Sequence, residues 1–275
     1  MKIIVINISI FIIINIITAL EKISGNNVGI IDTWLALPSD ISKFTSHFWT
    51  IFTYMFLHLD LMHILFNMLW LYWVGKIFTD YLGSQRLVLT YLLGGISGGV
   101  LFISISNLFP SFYSNSFLLG ASAGVMAIVV GAAILVPEYT LHLLFFGPVK
   151  LKYLALVSFL LTTILDFSVN TGGKIAHIGG AIYGIVYISQ YKKGRDFTKF
   201  FYRWANKITQ FFKNFRKSNM KVAYKRHVSD EEFNLNKVAR QKRMDEILDK
   251  ISKSGYESLN KQEKEILFKI SNDKR

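Results

Sequence analysis

From Ile3 to Leu20 the chain runs eighteen residues without a charge. Comparable apolar runs recur through the first two thirds of the sequence. A bilayer core takes about 20 mainly apolar residues per helix. Six segments approach that length, at roughly 3–20, 61–78, 87–106, 117–136, 149–166 and 175–190. The fourth, FLLGASAGVMAIVVGAAILV, holds twenty residues with no charge and one hydroxyl, Ser122. The last two are short or interrupted. The pattern predicts an all-α, polytopic membrane protein with six transmembrane helices.

The first run exceeds the roughly 7–15 residues of a signal-peptide core, and the TALEKISGNN that follows offers no small-x-small cleavage site. A retained helix is expected. The link from Glu21 to Phe48 leads into the aromatic HFWTIFTYMFLH, which reads as a membrane-surface loop. The stretch YTLHLLFFGPV is too short to span and is expected at the inner interface.

Composition adds a division. The chain is 52% hydrophobic and 18% charged, with a mean hydropathy of +0.36. Residues 192–275 carry 23 Lys/Arg and 11 Asp/Glu, whereas residues 1–191 carry 8 and 7. Nearly all of the +13 net charge therefore belongs to the tail. Positive flanks stay cytoplasmic, so the tail is expected inside. Six spans then place the N-terminus inside too, with Lys22, Lys43 and Lys174 on the outer side. Three parts are expected: a membrane domain at 1–191, a basic aromatic juxtamembrane segment at 192–226 and a helical hairpin at 234–272. The hairpin turns at Ser254-Gly255, and Asn260 with Glu263 has capping-box spacing. Anionic lipid or a cytoplasmic protein is the tail's expected partner. Topology and lipid account for its basicity, so nucleic acid is not expected. The chain has no cysteine, which excludes a disulfide, a thiolate nucleophile and a Cys-based zinc site.

Polar side chains within spans are costly and mark function by default. His63 and Asn67 are spaced i, i+4 and share one helix face. Ser122 lies early in the fourth span and His177 early in the sixth. All these spans enter from the outer side, so the four residues share one depth. Acyl transfer needs a nucleophile, a base and donors aimed at an oxyanion. Ser122 and His177 fit the first two roles; His63, Asn67 and the Ser122 N–H fit the third. Gly120 beside Ser122, and Gly180 with Gly184, are small residues of the kind that let helices approach. The plainer alternatives are a serine bonded back to its own i−4 carbonyl and a His63/Asn67 clamp between helices. Metal chemistry is not expected. There is no H-E-x-x-H, and His58 and His63 would diverge by about 140° on one helix. Asp60 and Asp166 are the acids near span ends on the outer side.

The motifs HLDLMHILFNMLWLYWVG, LGSQR, GASAG and AHIGGAIYG, in this order, resemble those of rhomboid intramembrane serine proteases. The resemblance covers roughly Phe48 to Gln190. It implies a six-helix rhomboid core with Ser122 as nucleophile and His177 as general base, a dyad needing no metal or cofactor. It also implies His63 and Asn67 at the oxyanion, Gly120 in the serine motif, and Gly180 and Gly184 packing the sixth span on the fourth. The implied substrates are single-pass or polytopic membrane proteins, cut in or near transmembrane segments that unwind easily. The implied location is the bacterial inner membrane, as a multi-pass protein with both termini cytoplasmic. The alternative is a non-catalytic rhomboid-like protein that binds membrane helices. The chain departs from the family pattern at Thr50 after Trp49, at Thr79 beside Asp80, and at Ala123 and Met126 around the serine. Altered rate or substrate choice is the expected consequence.

Overall fold

The computed structural model describes residues 2–25, 29, 31–113, 116–143, 147–164, 171–201, 207 and 230–272. The chain divides into two compact units, Met1–Gln210 and Phe211–Arg275. Of the basic aromatic segment expected over 192–226, residues 202–206 and 208–226 lie outside the described residues, as does Asp166.

The first unit is built on six helices: α1 (Lys2–Ser24), α2 (Leu61–Leu82), α3 (Ser84–Leu108), α4 (Ser122–Leu135), α5 (Leu151–Thr163) and α6 (Thr171–Lys192). By length and composition α1, α2 and α3 can cross a membrane, while α4 and α5 are shorter apolar helices. The fourth helix starts five residues later than its apolar run. Leu118 and Phe117 instead pair antiparallel with Leu37 and Pro38. Gly120 then takes φ +122°, a conformation that breaks a right-handed helix and that only glycine adopts freely. The short stretch expected at the inner interface forms a two-stranded hairpin, Thr140–Leu143 with Gly147–Lys150. Glu138 at its base pairs with Lys150 and Lys152 at 2.7 and 2.5 Å. The two ammonium groups hold the Glu138 carboxyl down at about 2.

Helix α4 is buried almost all round, as an apolar helix without a polar face must be. It packs on α2, α3, α5 and α6. Lipid is as apolar as leucine, so what draws these helices together is close packing of small residues. A Cβ on Gly180 would lie 2.1 Å from the Ala123 carbonyl oxygen, and one on Gly184 would lie 2.5 Å from that of Ala127. Helix α3 does the same from its own side. A Cβ on Gly94 would meet the Ala127 methyl at 2.3 Å, and one on Gly98 the Ala123 methyl at 2.6 Å. Gly179 approaches Gly98 as closely, and the Ser97 hydroxyl donates to the Gly179 carbonyl at 2.9 Å. Ala123, a departure from the family pattern, is thus the residue on which α3 and α6 both close, α3 on its methyl and α6 on its backbone.

LGSQR makes the corner between α2 and α3. Gly83, at φ +85°, ends one helix and starts the next. Arg86 donates back to the Leu82 carbonyl at 2.9 Å, and through Nε and Nη2 to Asp196 at 3.0 and 2.8 Å. Buried polar groups tie α1 in. Asn7 donates to the Tyr91 hydroxyl at 3.3 Å, and Tyr91 donates to the Met55 carbonyl at 2.6 Å. In the surface loop Trp49 stacks on Trp34, both rings touch His47, and the Trp49 indole donates to the Trp34 carbonyl at 2.8 Å.

The second unit holds α7 (Asp230–Ser254) and α8 (Lys261–Asn272). Gly255, at φ +75°, turns the chain between them. The Glu263 amide donates to Asn260 Oδ1 at 2.9 Å and the Asn260 amide to Glu263 Oε2 at 2.8 Å, a reciprocal cap. Lys250 adds an ion pair to Glu263 at 2.9 Å.

Candidate active site

Ser122 is the first residue of α4. A serine inside a helix commonly bonds the carbonyl four residues back, but no helical turn precedes Ser122. Among the described residues its hydroxyl makes no hydrogen bond, so it does not bond back to a carbonyl of its own helix. The backbone N–H groups of a helix's first turn lack intrahelical acceptors, and the helix dipole there favours negative charge. The Gly120 turn and the strand pairing before it place Ser122 at this end.

His177 lies two turns into α6. Its Nδ1 is 3.3 Å from the Thr162 carbonyl oxygen near the end of α5. A carbonyl only accepts, so Nδ1 carries the proton and Nε2 is left as the acceptor. A backbone carbonyl thus orients the imidazole ring.

His63 is held on α2 by the helix start. Asp60 caps it, accepting from the His63 amide at 2.8 Å. The His63 ring lies against Gly120, where a Cβ would come within 2.8 Å of Cε1 and 3.1 Å of Nε2. Gly120 therefore serves twice, by conformation and by leaving room for that ring. Asn67, one turn further on, donates from Nδ2 to the His63 carbonyl at 3.1 Å and to His58 Nε2 at 3.3 Å.

These residues meet at two adjoining cavities of about 460 and about 380 Å³. Ser122, His177, His63, Leu161 and Thr162 line both. Asn67 lines the second, with Phe66, Trp70 and Met126. The first is completed by Leu119, Gly173 and Lys174. Gly180 and Gly184 lie away from the cavities, on the α4–α6 contact. Among the departures, Met126 lines the site, whereas Thr50 and Thr79 bond their own helical turns, to the His47 and Gly75 carbonyls.

Sequence reasoning weighed His58 only as a metal ligand, found it poorly placed to share a metal with His63, and assigned it no other role. It precedes α2, is fully buried, and its ring lies 5.1 Å from that of His63. Its Nε2 accepts from both Asn67 and the Ala121 amide, the latter at 3.4 Å. His58 thus joins α2 to the residue before the serine. A second histidine within the HLDLMH stretch was the available signal. Thr162 gave none, since its contribution is a main-chain atom.

The chain matches the Rhomboid domain over residues 45–193. A second match, over residues 229–273, is to a family of unknown function (DUF6576). Among curated proteins it is 32% identical over 160 residues to RHOMBOID-like protein 12, mitochondrial, from Arabidopsis thaliana, covering 53% of this chain and 47% of the relative. It is 40% identical over 67 residues to Rhomboid protease GlpG of Salmonella newport, covering 24% of each. The chain thus matches about half, or a quarter, of the length of these relatives. The domain match spans more than half of this chain, and residues from three of its four motifs line the two adjoining cavities among apolar helices. This integral membrane protein belongs to the rhomboid family.

Proposed function

We propose that this chain is an intramembrane serine endopeptidase working through a Ser122–His177 dyad. One observation carries the reading: a serine with no hydrogen bond among the described residues, at a helix N-terminus, shares a cavity wall with a histidine whose other nitrogen faces a carbonyl. His177 Nε2 takes the Ser122 proton as Oγ attacks the scissile carbonyl carbon. The tetrahedral oxyanion is stabilised by the Ser122 N–H, His63 and Asn67. His177 returns the proton to the leaving amine, and the C–N bond breaks. Water, deprotonated by His177, then attacks the acyl ester and frees Ser122. Donation by Asn67 requires exchanging its 3.3 Å bond to His58 for one to the oxyanion, and such bonds commonly tighten only with substrate present.

Substrates are transmembrane segments of membrane proteins. A helix must open before attack, because its carbonyls are otherwise bonded within the helix. The basic connector supports cytoplasmic termini in a bacterial inner membrane, with the cavity toward the outer face. Residues 1–191 then form the membrane domain, 192–226 the connector on anionic lipid, and 234–272 the cytoplasmic hairpin. Gly120, Gly180 and Gly184 act structurally.

The test is cleavage of a model transmembrane substrate in liposomes, paired with labelling by a fluorophosphonate. Ser122→Ala and His177→Ala each abolish cleavage, and labelling depends on Ser122. Full cleavage by either variant sinks the mechanism. Folded wild type that neither labels nor cleaves points to a membrane-helix binder.

A further inference from the structure

A further cavity, of about 560 Å³, lies between the first residues of α1 and α3 and the second half of α2. The proposed chemistry does not use it. Lys76, on its wall, follows His63 by thirteen residues, or about 20 Å of helix. This cavity and the candidate active site therefore belong to opposite ends of α2. Its lining includes Thr79 and Asp80, one of the places where the chain departs from the family pattern.

The lining is graded. Leu71, Tyr72 and Val88 form an apolar wall, and Tyr72 and Val88 are exposed. Lys2, Lys76 and Asp80 bring charge, while Ser84 and Gln85 add a hydroxyl and an amide. Tyr72, Lys76 and Asp80 follow at four-residue spacing, so one face of α2 passes from apolar to charged. Lys2 begins α1 and Ser84 begins α3, which puts the charged part where these helices meet the membrane surface. Lys76 and Asp80 have the spacing of an intrahelical ion pair, yet among the described residues Lys2, Lys76 and Asp80 form no ion pair. Two ammonium groups face one carboxylate, an excess of one positive charge.

We propose that this cavity binds one anionic glycerophospholipid, its phosphodiester between Lys2 and Lys76 and an acyl chain along Leu71, Tyr72 and Val88. The charge balance selects the occupant. A phosphodiester with an uncharged headgroup brings the single negative charge that the lining lacks, and the headgroup hydroxyls can donate to Asp80. A zwitterionic lipid brings no net charge and leaves the excess in place. The volume is that of a small-molecule site, and lysine stems lie readily on apolar surface while their ammonium groups stay at the interface. The inference rests on the chain's place in the membrane and not on chemistry at Ser122.

A rival reading gives the two lysines to topology alone, as positive flanks that hold the helices in orientation. That role requires no bound lipid and no preference among headgroups.

The experiment uses the full chain in a nonionic detergent, with binding read by native mass spectrometry and by the rise in unfolding temperature. The probes are dioctanoylphosphatidylglycerol, dioctanoylphosphatidylcholine, dioctanoylglycerol and inorganic phosphate. Wild type takes up one phosphatidylglycerol saturably and prefers it to phosphatidylcholine, while dioctanoylglycerol and inorganic phosphate bind far more weakly. Lys2→Gln and Lys76→Gln each reduce phosphatidylglycerol affinity about fivefold, and the double variant about thirtyfold. Lys76→Arg retains it. Each variant is compared at the unfolding temperature it shows without lipid, so a folding defect is seen directly. Equal binding of phosphatidylglycerol and phosphatidylcholine overturns the proposal, as does phosphatidylglycerol binding that the glutamine variants leave unchanged; both outcomes favour the topological role. Inorganic phosphate that binds as tightly as phosphatidylglycerol, and is lost in the same variants, overturns the lipid in favour of a free anion.

Discussion

Gly120 shows how much one missing side chain does. Its φ of +122° ends the strand pairing and lets α4 begin at Ser122. Its bare Cα gives the His63 ring its place. Gly120→Ala meets both constraints at once, backbone strain of order 1–3 kcal/mol and a contact at 2.8 Å. It is expected to lower cleavage at least about tenfold through displacement of His63; single-turnover rates measure this. Asn67 sits differently. Both hydrogens of its amide are in use, on His58 and on the His63 carbonyl. Asn67→Ala removes a proposed oxyanion donor, and kcat is expected to fall roughly 100- to 1000-fold. It also leaves the Ala121 amide as the one donor to His58 Nε2 among the described residues, so a lower unfolding temperature accompanies the kinetic loss. An effect on KM alone would contradict the oxyanion role.

At the scale of elements, α3, α4 and α6 meet where side chains are almost absent. Gly180→Ala places a methyl 2.1 Å from the Ala123 carbonyl oxygen, a backbone atom that cannot step aside without moving its helix. The expected outcome is loss of cleavage together with a destabilisation of about 1–3 kcal/mol or more, read by thermal unfolding in detergent. Normal stability with normal activity would show that the two helices can separate freely. The corner between α2 and α3 gives a pH-dependent prediction. Burial alone would raise the Asp196 carboxyl, but the Thr198 hydroxyl and amide and the Arg86 guanidinium outweigh it and hold it below its ordinary value. A depressed carboxyl adds stability that is full above the ordinary value of 3.8 and is lost as pH falls through the lower, folded value. Wild type should therefore unfold at a higher temperature than Asp196→Asn at pH 7, with the gap closing in strong acid. A gap that persists there would assign the effect to packing.

The whole molecule is two units with different physics. Among the described residues, the core of the first unit draws on residues from Ile3 to Tyr191. The tail's charge is unevenly held. Residues 192–229 carry twelve Lys/Arg against one Asp/Glu, while residues 230–272 carry nine of each. The hairpin is therefore electrically neutral overall, and the basicity lies in the connector. Deleting residues 230–275 should leave fluorophosphonate labelling of Ser122 and the unfolding temperature of the membrane unit unchanged. A fall in either would make the hairpin part of the membrane fold.

Much of this molecule was legible without coordinates, because a bilayer imposes rules that act on local sequence. Each crossing element must be apolar and must satisfy its own backbone bonds. Six helices could thus be placed from hydropathy, and His63, Asn67, Ser122 and His177 stood out as polar residues within them. What sequence left undecided were the contributions of the backbone. The φ of Gly120 starts α4 later than its apolar run, and the Thr162 carbonyl faces His177. The glycines of α3 close on Ala123, and His58 bonds the residue before the serine from outside its own helix. Apolar length is a property of one segment and can be read there; a carbonyl's neighbour, or a cavity wall shared by four helices, exists only once those helices have packed.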